Sequence, residues 1–142
     1  MDPLLPETIA EIKSNGAIDA VGKQSDVRPW LMASDALVFP SYREGFPNVV
    51  IEAGAMGLPS IVTDINGSRE IIIEGENVVI VPSKASEALY QSMKSCIENP
   101  EETAGMAPNA RALIASRFEQ SFVRDCLKEY YREISPNGGP FI

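Results

Sequence analysis

Short apolar, β-branched runs alternate with stretches of helical periodicity through the first part of this chain. Ala17 to Val21, Ala36 to Pro40, Ser60 to Thr63 and Val78 to Val81 are short, largely apolar runs bounded by Gly, Pro or Asp. Such runs suit strands covered on both faces better than strands wetted on one side. Between them lie helical candidates at Pro6–Ser14, Val27–Ser34, Pro47–Met56 and Ser68–Glu74. Strand–helix alternation predicts an α/β fold with a parallel sheet of about four strands and right-handed crossovers.

From Glu87 onward the character changes. Glu87–Asn99, Glu101–Ser116 and Gln120–Ile134 read as consecutive helices with no strand between them, and Asn99-Pro100 separates the first two. In the third, Phe122, Cys126, Leu127, Tyr130 and Ile134 recur at helical spacing, with Arg124, Asp125, Lys128 and Glu129 on the other side. That stripe needs a partner surface, in this domain or another. The tail from Pro136 to Pro140 cannot continue a helix and is expected to be flexible.

Composition narrows the chemistry. With 44% apolar and 23% charged residues the 142-residue chain reads as globular. It has no histidine, which removes imidazole acid–base work, His-activated nucleophiles and most zinc sites. A net charge of −8 argues against nucleic acid as a partner. Cys96 and Cys126 fall in helical stretches and read as reduced thiols. No apolar run approaches bilayer length and the N-terminus does not read as a secretory signal, so a cytoplasmic location is expected. Carboxylates, backbone amides, hydroxyls and a few basic side chains must carry any function.

The segment from Ala33 to Pro59 concentrates these groups. The run Ala36 to Pro40 empties into the polar turn Ser41-Tyr42-Arg43-Glu44-Gly45, and a helix follows with Pro47 in its first turn and Gly57 and Pro59 at its end. In open α/β sheets, ligands bind outside the carboxyl ends of strands, where such loops lie. Glu52 is the only charge on a helix otherwise apolar nearly all round. A carboxylate there is costly unless it is hydrogen-bonded or lines a cavity. Two carboxylates, Glu44 and Glu52, thus flank the free amides from Gly45 to Val49 at a positive helix end. Amides attract phosphate and carboxylates accept hydrogen bonds from sugar hydroxyls, which suits a phosphorylated sugar. The plainer alternative makes Glu44 a solvated loop charge and Glu52 a buried acid paired to an arginine.

The frame Pro40-Ser41-x-x-Glu44-Gly45-Phe46-Pro47-Asn48-x-x-x-Glu52-Ala53 resembles that of the retaining glycosyltransferases of family 4, with their E-x7-E signature at Glu44 and Glu52. The likeness continues through Thr63 to Ile71, Glu74 to Asn77, Val81-Pro82 and Arg117-Phe118. It implies a GT-B fold, with this chain matching part of the C-terminal, nucleotide-sugar-binding domain: an incomplete Rossmann-like sheet in residues 1–135, then a tail at 136–142. It further implies that Glu44 contacts the donor sugar as the catalytic carboxylate and that Glu52 binds the ribose. Gly45, Phe46, Pro47, Asn48 and Val49 would hold sugar and phosphates, and the loop at Gly22, Lys23, Gln24 and Ser25 would lie near the base. The implied partner is a nucleotide-diphosphate sugar, with no cofactor and no metal. The family's two leading strands, its basic pair and its N-terminal acceptor domain are not matched. An acceptor domain or complementing chain is therefore a further expected partner, and peripheral membrane association would come through it. Val78 stands where the family's turn usually has glycine, which predicts strain there if φ is positive.

Other residues admit two readings. Arg43 and Arg69 would be phosphate contacts or ordinary surface charges, and Lys23 a base contact or a plain loop lysine. Asp64 would line the ligand edge or cap a turn, Tyr42 would stack on a sugar or base, and Phe46 would do so or pack as core. Trp30 reads as core, and Tyr130-Tyr131 as helix packing. At the level of function the alternatives are a non-catalytic fragment that keeps the donor site and a nucleotide-sugar epimerase of the same fold.

Overall fold

The structure, a computed structural model, describes residues 4–73 and 75–135. Its centre is a parallel sheet of β1 (Leu37–Phe39), β2 (Ser60–Thr63) and β3 (Val78–Val81), in the order β1-β2-β3. Val38 is level with Ile61, and Ile61 with Val79. All of β2 is buried, as its largely apolar run predicts for a central strand.

The fourth expected strand, Ala17 to Val21, is absent from the sheet. That segment is held by local turns, with Ile18 N–H donating to Asn15 O and Val21 N–H to Asp19 O, and both apolar side chains are exposed. The reason is topological. A sheet whose strands run outward in sequence order matches the last three places of the doubly wound order 3-2-1-4-5-6. In that order the preceding strand lies three places away from β1, with two strands between them, and pairs with the second strand. The described residues supply no strand in that place, and an apolar run without a ladder partner does not become a strand.

The helices are α1 (Pro6–Ser14), α2 (Arg28–Met32), α3 (Asn48–Ala55), α4 (Ser68–Ile71), α5 (Ser86–Glu98), α6 (Pro100–Gly105), α7 (Ala107–Phe118) and α8 (Gln120–Ile134). The stretch expected as one helix from Glu101 to Ser116 is broken at Met106. Pro108 lacks an amide, and its ring excludes the carbonyl four residues back, so it fits only the first turn of a new helix. Trp30, read as core, is 46% exposed on α2, while its neighbour Leu31 is buried against Ala53 and Leu58. The described residues of the turn before β3 are not strained as expected. Gly75, at φ +80°, takes the left-handed position, and Val78 is a buried strand residue.

The main core joins Val50, Val62, Ile71, Ile72, Val78 and Ile114, so it lies between α3, the sheet and α7. Gly54 permits the α3–α7 approach, because a Cβ there would stand 2.6 Å from Ile114 Cγ1. Cys96 and Cys126 are free thiols. Among the described residues no helix is long and apolar enough to cross a membrane.

Candidate functional site

Two loops build the candidate site at the sheet's carboxyl edge. The first, after β1, carries Ser41 to Phe46. Its shape is held from behind: the Thr63 hydroxyl at the end of β2 donates to Ser41 O, and the Ser41 hydroxyl donates to the Glu44 carboxylate at 3.0 Å. The second loop, after β2, presses Gly67 onto the first. At φ +85° and with any Cβ running into Gly45 O, residue 67 must be glycine on both counts. Glu44 is thus half-buried and anchored at the edge, not a free loop charge.

Pro47 caps α3 and is buried, so the helix begins one residue later than the sequence pattern predicts. The first amides of α3 have no carbonyl within the helix to bind, and with Gly45 exposed they form the positive end beside Glu44. α3 stops in a Schellman turn. Gly57 N–H donates to Gly54 O and Leu58 N–H to Ala53 O, with Gly57 at φ +76° and Leu58 packed beside Ala53. Helix length and direction are therefore set at both ends, which fixes where Glu52 emerges.

Glu52 emerges into a cleft. Its side chain is exposed, and it lines an open cavity of about 560 Å³ with Gln24, Ser25, Asp26, Arg28 and Met56. No buried arginine pairs with it among the described residues, so the structural alternative for Glu52 does not hold. The fold thus brings Glu52 together with Gln24 and Ser25 of the loop that the family resemblance assigns to the base. Gly22 (φ +64°) and Lys23 are exposed in the same loop, just before the cleft-lining residues.

Sequence reasoning missed Asp26 and Arg28 as part of this cleft. Arg28 makes a two-pronged ion pair with Asp26, with both nitrogen–oxygen distances 2.8 Å. Hydrogen bonds from the Arg28 side chain and amide hold the Asp26 carboxyl down at about 2. The Asp-x-Arg spacing was the available signal.

Other expected site residues are distributed differently. Phe46 is 44% exposed, yet its ring meets Phe118 edge-to-face at 5.6 Å, so it ties the loop to α7. Val49 packs its side chain on the core, leaving only its amide for a ligand. Asn48 is exposed at the helix start. Arg69 is paired with Asp64 at 2.5 Å, so Asp64 holds Arg69 instead of capping a turn. Arg43 is exposed at the rim beside Glu44. Among the described residues no cluster of His, Cys, Asp or Glu is arranged to hold a metal ion.

This edge has counterparts in known proteins. One relative, the N,N'-diacetylbacillosaminyl-diphospho-undecaprenol α-1,3-N-acetylgalactosaminyltransferase of Campylobacter jejuni, is 28% identical over 127 residues, covering 89% of this chain and 34% of the relative. A glycosyltransferase from Rickettsia africae superposes with TM-score 0.85 at 27% identity, over 93% of this chain and 36% of that one. The Anabaena protein Alr3699/HepE, solved in complex with UDP-glucose, superposes with TM-score 0.82 at 24% identity, over 89% and 35%. The chain thus spans about a third of the length of these relatives. The family model for glycosyl transferases group 1 matches residues 2–99, which take in the whole sheet, both loops and α3. The fold, the E-x7-E edge and this match agree, and the chain belongs to the glycosyl transferases group 1 family.

Proposed function

We propose that this chain forms the donor-binding part of a retaining glycosyltransferase that uses a nucleotide-diphosphate hexose. The observation that carries the reading is the cleft in which Glu52 faces Gln24, Ser25, Asp26 and Arg28. A carboxylate accepts hydrogen bonds from the paired hydroxyls of a ribose, and the adjoining loop at Gly22 to Ser25 offers polar groups to a base. From there the diphosphate would run to the start of α3, where the amides of Gly45 to Val49 and the positive helix end offset its charge without a metal. The hexose would then meet Glu44. As the anomeric carbon–oxygen bond breaks, the nucleoside diphosphate leaves with the electron pair, and the acceptor hydroxyl forms the new bond on the same face while its proton passes to the departing phosphate oxygen. Glu44, held by Ser41, contacts the donor sugar and stabilises the positive charge that builds on the ring. Support comes also from the solved neighbour that holds UDP-glucose.

The test is calorimetric titration with a panel of nucleotides and nucleotide sugars. Binding of at least one nucleoside diphosphate is expected, weakened about tenfold or more in Glu52→Ala, the loss typical of a hydrogen bond to a charged group. Failure of every nucleotide to bind, or indifference to Glu52→Ala, would overturn the reading.

A further inference from the structure

A second cleft opens at the same edge, on the far side of the Glu44 loop, and the donor reading leaves it unused. It encloses about 460 Å³ between Pro40, Tyr42, Thr63, Val81, Pro82, Lys84, Ser86 and Leu89, at the carboxyl ends of all three strands. Its walls are mostly apolar, with one cation. Lys84 places its ammonium 5.9 Å from the centre of the Tyr42 ring. No carboxylate forms an ion pair with Lys84 among the described residues, in a chain whose net charge is −8. Lys84 is also the one non-glycine described residue with positive φ, at +63°, and such outliers gather at ligand clamps. Ser86, the first residue of α5, lines the cleft as well. The Thr63 hydroxyl is already engaged with Ser41 O.

We infer that this cleft takes an anionic sugar, its ring face against the Tyr42 ring and apolar walls and its negative group against Lys84 and Ser86. An aromatic face beside a lone cation and a hydroxyl complements a molecule that is apolar on its C–H face and negative at one end. Anion binding in the cleft does not rest on the transferase reading.

The experiment follows Tyr and backbone resonances of the whole chain by NMR during titration with glucose 1-phosphate, glucuronate and glucose. Both anionic sugars are expected to shift signals around Tyr42 and Lys84, and glucose to do so about tenfold more weakly. Lys84→Gln should remove that preference and Lys84→Arg keep it, while Lys84→Gly, which relieves the backbone, should hold or raise the melting temperature and so exclude misfolding. Glu52→Ala and saturating UDP should leave anionic-sugar binding unchanged, which separates this cleft from the donor site. Equal binding of glucose, insensitivity to Lys84→Gln, displacement by UDP, or no shift with either anionic sugar would each overturn the proposal.

Discussion

Three residues show how strongly single positions are constrained at the site edge. Gly67 combines positive φ with a carbonyl where a Cβ would stand. Gly67→Ala is expected to cost more than about 2 kcal/mol and to displace the Glu44 loop, read as a lowered midpoint in urea unfolding. Ser68, next in the chain, is 1% exposed, and its hydroxyl has no partner among the described residues. Ser68→Ala should therefore stabilise the fold by up to about 1 kcal/mol, since it removes a buried polar group that bonds nothing. A clear destabilisation in the same assay would reveal a partner for that hydroxyl. Asp26 is the pH-sensitive member of the cleft that Glu52 lines. Its carboxyl is depressed to about 2, so whatever the Arg28 pair contributes is present above the ordinary carboxylate range and lost as pH falls through about 2. Carbon-detected NMR titration should find its midpoint there, and Arg28→Ala should return it toward the ordinary value.

At the scale of elements, burial separates helices that look alike in sequence. α3 and α7 cross over Gly54 and Ile114 within the core, whereas α8 carries the strongest apolar stripe and buries none of it. Ile114→Ala should cost about 2–5 kcal/mol, while Leu127→Ser, at a side chain 50% exposed, should stay within about 0.5 kcal/mol of the native chain. Thermal unfolding of the two variants checks the contrast directly. Periodicity predicts α8 to the residue, since Glu119 caps it by accepting from Ser121 and Phe122 amides and nothing interrupts it. Periodicity cannot tell whether its stripe is covered, because amphipathicity records what a helix prefers and not what stands beside it.

For the whole molecule, binding and turnover separate. Sugar transfer needs donor and acceptor held together in one reactive geometry, and much of the rate of such reactions comes from that positioning. The 142 residues tested alone are expected to bind a nucleoside diphosphate without releasing it measurably from a nucleotide sugar, with or without acceptor. Release that vanishes in both Glu44→Ala and Glu52→Ala would show instead that these residues suffice for catalysis.

The sequence by itself determined the three parallel strands, α8 from end to end, the close of α3 at Gly57, and Glu52 as the one charge on that helix. These follow from local causes: largely apolar runs, Gly and Pro as punctuation, and one charge on an otherwise apolar helix. Tertiary structure alone decided the rest. It left Ala17 to Val21 out of the sheet, because a strand exists only beside a partner. It turned Trp30 outward and Leu31 inward, a choice made by Ala53 and Leu58 on another element. It brought Asp26 and Arg28 to Glu52, and Lys84 to Tyr42, across sequence separations that no local pattern encodes. Clefts form where the chain returns to itself, and that return is set by packing.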